Sequence, residues 1–154
     1  MLIDARDALE EAELVAQRIE ALIGEGVAGG DVAVLFRAKY LMAPLERALQ
    51  RRRIAHESMN AHAFRRFDWS RPAVRLLTMH SAKGLEFAHV FIGGLQALPM
   101  RGESLDDALR LIYVAMTRAT KQLVLTGCGT SPVAARVRAS LARVRGQFAS
   151  DDGR

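Results

Sequence analysis

Three short segments of this sequence place polar side chains where a strand or a helix is predicted to end. They are Val34–Ala38 (VLFRA), Thr78–Phe87 (TMHSAKGLEF) and Tyr113–Ala119 (YVAMTRA). The arginine, threonine and glutamate residues in them are of types that suit phosphate and sugar hydroxyl groups. Ligands of open α/β sheets bind beside the carboxyl ends of the strands. The segments therefore predict a site for a phosphorylated ligand.

The sequence lacks two other kinds of site. A phosphate-cradling loop of the form G-x-x-x-x-G-K-[ST] does not occur in the 154 residues, and the Lys83-Gly84 pair has the reversed order. Cys128 is the single cysteine, and no group of cysteine and histidine residues has the spacing of a zinc site. We therefore expect neither an internal disulfide nor a metal held by this chain alone.

The elements that must position the three segments alternate between helix and strand. Apolar residues at helical spacing predict a helix over Asp7–Ile23, which Gly24 ends. The segment Val32–Phe36 is apolar throughout, which predicts a strand buried on both faces, as in a parallel sheet. A second amphipathic helix is predicted over Leu41–Arg53, with a short strand at Ile54–Glu57. Strand, helix, strand is the repeating unit of parallel α/β folds.

The second half of the chain continues this alternation after a polar and aromatic connector at Asn60–Pro72, which we interpret as a loop. The later elements are two strands, a helix with Ser104 as N-cap, a strand and a last helix, predicted at Val74–Met79, Val90–Gly93, Leu105–Arg118, Gln122–Thr126 and Pro132–Gly146. The pattern predicts a doubly wound α/β domain with a mainly parallel sheet and helices on both faces. We expect one domain over residues 1–149 and a frayed tail at 150–154.

The composition limits the classes of protein to which this chain could belong. Half of the residues are hydrophobic and a quarter are charged, as in an ordinary globular domain. The net charge of +5 permits binding to a polyanion but does not demonstrate it. No apolar run approaches the roughly 20 residues that cross a bilayer, and the polar N-terminus is unlike a signal peptide. With a single cysteine, we expect a soluble, monomeric, cytoplasmic domain.

The three segments, in this order, resemble helicase motifs IV, V and VI of the UvrD/Rep family. Members of this superfamily-one group are motors that move 3′ to 5′ on single-stranded DNA. The resemblance covers about Leu9 to Gly127. It implies that the chain is the second RecA-like domain of a motor, which closes over ATP and Mg²⁺ held mainly by the first RecA-like domain. The chain alone would then be half of a site and unable to turn over ATP, and its partners would be that first domain and single-stranded DNA.

The resemblance assigns nucleotide contacts to five residues. Arg118 would be an arginine finger at the γ-phosphate, Arg37 a second γ-phosphate contact, and Phe36 would stack on adenine where the family usually has a tyrosine. Glu86 would bind the ribose hydroxyls, with the backbone near Gly84 close to the nucleotide. Two structural alternatives stay open. Arg118 could bind the last carbonyls of its own helix, and Phe36 could be a core aromatic that closes a strand.

Contacts to DNA are implied for two residues. Thr78 would touch the DNA strand through a phosphate oxygen, and His80 through its backbone or by stacking. A lone histidine after a strand is more often a structural residue, which is the alternative for His80. Lys83 either meets a ligand or bridges to Glu86.

The sequence departs from the family between the first two motifs. Only about 40 residues separate Arg37 from Thr78, so the large helical accessory subdomain of the best-known members is absent. Tyr113 and Arg110 match the family pattern ahead of motif VI, and we expect them to pack and orient the helix that presents Arg118.

Three classes of function are compatible with these residues. The first is an ATP-dependent DNA translocase or helicase domain, and the second is a helicase-like scaffold or DNA-binding module without catalysis. Intact motifs V and VI favour the first. A stand-alone basic DNA-binding protein would leave Arg37, Glu86 and Arg118 without a purpose.

Overall fold

The computed structural model describes residues 1–59 and 68–151. Within these ranges the chain forms a six-stranded sheet and packs helices against it. The strands are β1 (Leu2–Ala5), β2 (Val32–Phe36), β3 (His56–Ser58), β4 (Val74–Thr78), β5 (Phe87–Ile92) and β6 (Ala119–Cys128). The helices longer than one turn are α1 (Ala8–Gly24), α2 (Ala43–Arg51), α3 (Leu105–Met116) and α4 (Pro132–Asp151).

The sheet has the strand order β1-β6-β5-β2-β4-β3, and every pair of neighbouring strands is parallel. The predicted doubly wound α/β architecture is thereby confirmed. β2 lies between β4 and β5, and all five of its residues are buried. This explains why its sequence is apolar without alternation, since helices cover both faces of the strand.

Side chains of β2 alternate between two hydrophobic cores. Val32, Val34 and Phe36 pack with residues of α1 and α2 on one face. Ala33 and Leu35 pack on the other face, with residues of α3 and α4. The period of two along a strand thus feeds both layers of helices. No helix in the described part of the chain is long and apolar enough to cross a membrane.

Most of the predicted elements are confirmed with shifted ends. β2 has the predicted bounds, whereas α3 ends at Met116 rather than Arg118, and α4 continues to Asp151. Ser104 is the predicted N-cap of α3, and its hydroxyl accepts the Asp107 N–H bond at 3.0 Å. Residues 60–67 of the predicted connector lie outside the described residues.

β1 is a strand that the sequence pattern does not predict. Its four residues are an edge strand whose register is set by β6, with Leu2 opposite Leu125 and Ala5 opposite Cys128. With four residues, the segment is too short for a periodic signal. Pairing with a distant partner, rather than a local pattern, makes it a strand.

A buried carboxylate ties α1 to the sheet. Glu11 is only 6% exposed. Its Oε1 accepts hydrogen bonds from Gly94 N–H at 2.8 Å and from the Thr126 hydroxyl at 2.7 Å, and its Oε2 accepts one from Gln96 Nε2 at 3.0 Å. Gly94 follows β5, and Thr126 lies in β6. Glu11 therefore fixes the start of α1 against the carboxyl ends of two strands.

We expect Glu11→Ala to lower the free energy of unfolding by about 3 kcal/mol, because buried donors lose their acceptor. Urea denaturation of the chain measures this loss. The matched control is Glu10→Ala, which removes the neighbouring carboxylate, paired at the surface with Arg6, and should cost at most about 1 kcal/mol. Equal losses for the two variants would contradict a buried tie at Glu11.

Candidate functional site

Three of the predicted site residues lie at one edge of the sheet, which we name the strand-end edge. It is formed by the carboxyl ends of β2 and β4, where Phe36 is directly opposite Thr78. Arg37 follows β2, and His80 follows β4. The structure therefore brings Arg37, Thr78 and His80 together, as expected for neighbouring parallel strands. They adjoin an open cleft of about 560 Å³ that Arg37 and His80 line.

Arg37 is held at this edge by an ion pair. Its Nε donates to Oε1 of Glu103 at 3.0 Å, and the Arg37 and Glu103 side chains are 24% and 10% exposed. Glu103 belongs to the loop between β5 and α3, and its Oε2 accepts the Met100 N–H bond at 2.9 Å. Glu103 could not be identified from the sequence, because a glutamate in a polar loop carries no local signal of its partner.

Thr78 organises the turn that follows β4. Its hydroxyl accepts the Ser81 N–H bond at 3.1 Å and exchanges a hydrogen bond with the Ser81 hydroxyl at 2.8 Å. The Thr78 carbonyl accepts the Ala82 N–H bond at 3.1 Å. This turn leaves the His80 side chain exposed. An exposed histidine is not the satisfied structural residue that the alternative reading of His80 required.

A second group of predicted residues, Gly84, Glu86 and Arg118, lies at the opposite edge, which we name the strand-start edge. Glu86 immediately precedes β5 and Arg118 immediately precedes β6. The Arg118 carbonyl accepts the Phe87 N–H bond at 2.9 Å, which joins the two strand starts. Glu86 and Gly84 are exposed. Gly84 has φ +82°, a conformation that L side chains rarely adopt and that favours glycine here.

The guanidinium of Arg118 bonds to neutral oxygens. Nε donates to Val114 O at 3.2 Å, Nη2 to Thr117 Oγ1 at 3.1 Å and Nη1 to Leu85 O at 3.4 Å. The bond to Val114 O matches the alternative, in which this arginine binds the last carbonyls of its own helix. Among the described residues, however, no carboxylate forms an ion pair with Arg118. Its positive charge is therefore not neutralised by the protein, in contrast to that of Arg37.

The two edges are far apart. β5 has six residues, and at about 3.3 Å per residue its ends are separated by about 20 Å. Arg37 lies beside the carboxyl end of β5, where Gly93 N–H donates to Leu35 O at 3.0 Å, and Arg118 lies beside its amino end. The structure therefore does not bring Arg37 and Arg118 to a common phosphate, which the resemblance had implied. The sequence could not reveal this, because both arginines simply follow or precede a strand.

Phe36 also lies away from the strand-start edge. Its side chain is 6% exposed, and a Cβ added to Gly93 would lie 2.5 Å from its ring. The ring therefore packs directly on the Gly93 backbone, beneath α1 and α2. This placement matches the alternative of a core aromatic that closes a strand, and it does not bring Phe36 to Glu86 or Arg118.

Three further expectations concern neighbours of these residues. Tyr113 is 68% exposed, and the Arg110 side chain is 80% exposed, with Asp107 at 3.7 Å. The expectation that they pack against and orient α3 within this domain is therefore wrong, since their side chains face outward. Lys83 and Glu86 are both exposed, and no ion pair joins them in the described part of the chain.

The single cysteine does not supply a nucleophile to the strand-end edge. Cys128, at the end of β6, is buried, and this burial together with the nearby Glu11 carboxylate raises the pKa of its thiol above the ordinary value. A raised pKa keeps a thiol protonated and unreactive at neutral pH.

The residues at the strand-start edge fit part of a nucleotide site. An exposed carboxylate can accept hydrogen bonds from ribose hydroxyls, a guanidinium can bind phosphate, and a glycine with no heavy atom within 4 Å of its added Cβ leaves room for a ligand. The chain offers no phosphate-cradling loop to complete such a site. The arrangement can therefore contribute binding and charge to a nucleotide that another domain holds.

The fold defines a RecA-like α/β domain. The same fold is found in the crystal structure of the C-terminal domain of a possible DNA helicase from Lactobacillus plantarum WCFS1, with a TM-score of 0.68 and 21% sequence identity over 88% of this chain and 78% of that chain. Residues 57–130 match the model of the UvrD-like helicase C-terminal domain. This segment, which contains Thr78, Glu86 and Arg118, is therefore similar to that family.

Two curated relatives agree with this assignment. The chain is 46% identical over 63 residues to ATP-dependent DNA helicase Rep of Buchnera aphidicola subsp. Schizaphis graminum, covering 37% of this chain and 10% of the relative. It is 40% identical over 80 residues to DNA helicase II of Escherichia coli K12, covering 47% of this chain and 11% of the relative. The match thus spans about a tenth of each relative's length.

Proposed function

We propose that this chain is the C-terminal motor half of an ATP-dependent 3′ to 5′ DNA helicase or translocase. The observation that carries the proposal is the unneutralised guanidinium of Arg118 beside the exposed Glu86 and Gly84. These three residues would face ATP and Mg²⁺ held mainly by a first RecA-like domain. The family match and the helicase relatives support the class, and the proposal includes a cytoplasmic location.

ATP would supply the phosphoryl-transfer chemistry. Arg118 would bring a fixed positive charge to the phosphate oxygens, and Glu86 would bind the ribose. To do so, the Arg118 side chain must exchange its bonds to Val114 O and Leu85 O for phosphate oxygens. These acceptors are neutral, whereas a phosphate oxygen carries a negative charge that adds Coulomb attraction to the hydrogen bond with the guanidinium. The exchange is therefore favourable once the partner domain presents a phosphate.

The strand-end edge would bind single-stranded DNA. Thr78 and His80 were assigned to DNA by the resemblance, and Arg37 lies beside them rather than beside Arg118. We therefore assign Arg37 to the DNA phosphates and not to the nucleotide. The segment 79–86 connects the two edges, since it leaves Thr78 at one and reaches Glu86 at the other. Movement of this segment would couple nucleotide state to DNA contact.

The test separates the two edges in a motor that joins this chain to a domain with a phosphate-cradling loop. Glu86→Ala should weaken nucleotide binding about tenfold, because a ribose contact is worth about 1.4 kcal/mol in ground and transition states alike. His80→Ala should spare ATP hydrolysis without DNA and reduce its stimulation by DNA. Steady-state ATPase assays with and without a single-stranded oligonucleotide, together with nucleotide titrations, measure both effects.

The control is Glu20→Ala, which removes a carboxylate on α1 that pairs with Arg52 and should change neither quantity. If Glu86→Ala left nucleotide affinity unchanged while His80→Ala weakened it, the assignment of the two edges would be reversed.

A further inference from the structure

The cleft at the strand-end edge contains a carboxylate, Glu103, that pairs with Arg37. Arg37, Arg101 and His80 line it together with Glu103 and Asp107. With histidine neutral, the two arginines and the two carboxylates balance in charge. An edge that binds nucleic acid through phosphate contacts gains affinity from unneutralised cations. The carboxylates therefore oppose the function proposed for this edge.

Of the two carboxylates, Glu103 is the one that opposes binding of nucleic acid most directly. It is only 10% exposed, and Met100 N–H fixes one of its oxygens while Arg37 binds the other. The pair is joined through Nε of Arg37 rather than by a two-pronged contact. Asp107, in contrast, is bonded by the Ser104 hydroxyl at 2.6 Å at the start of α3. The main chain thus holds Glu103 against Arg37.

We propose that Glu103 is a built-in competitor for nucleic-acid phosphate, which lowers the affinity of Arg37 for the backbone of a single DNA strand. This inference rests on the proposed function, because it takes the strand-end edge as the DNA-binding surface. A phosphodiester approaching Arg37 either displaces Glu103 or binds an arginine whose charge is already neutralised. The contact is weakened in both cases. A weak contact suits a motor that must release each phosphate as it steps.

The test is the binding of a fluorescent oligothymidylate to the 154-residue chain at several salt concentrations. Glu103→Gln removes the charge and keeps an oxygen for Met100 N–H. We expect it to raise affinity about fivefold at low salt, since an ion pair of this kind is worth about 1 kcal/mol. The plot of log affinity against log salt should steepen by about 0.7, the value for one more phosphate contact on a single strand.

Two variants serve as controls. Asp106→Asn makes the same change of net charge in the first turn of α3, outside the cleft, and should raise affinity by less than twofold. In the Arg37→Ala background, Glu103→Gln should have no effect, because the competitor has lost its target. If Glu103→Gln does not fold, Glu103→Asp decides the matter, since it withdraws the carboxylate from Arg37 by one methylene and should raise affinity about twofold.

The outcomes separate this inference from the proposed function. If Arg37→Ala and His80→Ala weaken binding but the Glu103 variants bind like the parent chain, the competitor role is wrong and the DNA-binding edge stands. An equal gain from Asp106→Asn and Glu103→Gln would also overturn it, in favour of a general charge effect. If neither Arg37→Ala nor His80→Ala changes binding, or if no variant binds the oligonucleotide, the edge itself is misassigned and the inference fails with it.

Discussion

Replacing Arg118 with alanine in the complete motor should lower kcat by about 10³-fold or more, the range seen for arginine fingers in other NTPases. The affinity for ATP should stay within a few-fold of the parent, because a finger acts mainly on the charge that develops in the transition state. Arg118→Lys should recover little of the rate, since lysine lacks the planar fork that binds two phosphate oxygens. Single-turnover hydrolysis and nucleotide titration measure the two quantities.

The matched control is Arg110→Ala on the same helix. Arg110 is 80% exposed, and its nearest carboxylate, Asp107, is 3.7 Å away, so its loss should leave kcat within about twofold by the usual size of exposed charge effects. Thermal unfolding of both variants checks that α3 is intact. Retention of DNA-stimulated turnover within about threefold of the parent in Arg118→Ala would refute the finger assignment, because the rate loss expected of a finger is far larger.

Glu57→Gln should destabilise the domain about as much as Glu11→Ala, although Glu57 lies outside the two hydrophobic cores. Arg75 is 1% exposed within β4, and its Nη1 donates to Glu57 of β3 at 2.5 Å. Arg75 also donates to Trp69 O at 3.1 Å and Arg71 O at 2.7 Å, and its guanidinium lies 5.5 Å from the Trp69 ring centroid. Neutralising Glu57 removes a carboxylate that is bonded to a buried guanidinium, so we expect a loss of about 3 kcal/mol.

Urea denaturation measures this loss, and a double variant tests its cause. Glu57→Gln combined with Arg75→Met removes both charges and should recover most of the stability, because replacing a whole buried pair is often neutral. Glu20→Gln breaks a surface pair with Arg52 and should cost less than about 1 kcal/mol. Failure of the double variant to exceed Glu57→Gln in stability would show that packing, not charge, accounts for the loss.

The sequence predicted most of the sheet because its central strands have a local signature. Val32–Phe36 is apolar at every position, and such a short run is typical of a strand covered on both faces. The N-cap Ser104 similarly marked the start of α3. β1 and the partner of Glu11 had no such signature. Their structure depends on contacts with β5 and β6, which are more than 80 residues away along the chain.

The candidate site, like the fold, was predictable from the sequence only in part. The residue types in the second and third segments predicted phosphate and sugar contacts, and the family match supports their class. Their placement at two separate edges of the sheet was not predictable. A motif gives the order of its residues along the chain, but it does not give the edge of the sheet at which each residue lies. Arg37 was consequently grouped with Arg118, although the parallel strands put the length of β5 between them.

The sequence by itself determined the α/β class, the parallel sheet, the resemblance to a helicase family and the chemical types of the site residues, because each depends on composition or spacing over a few neighbouring positions. The tertiary structure decided which of those residues share a surface. It separated Arg37 from Arg118, paired the first with Glu103 and left the second without a carboxylate among the described residues. Neutralisation of a charge depends on what folds beside it, and that neighbour can be distant in the chain: Glu103 is 66 residues from Arg37.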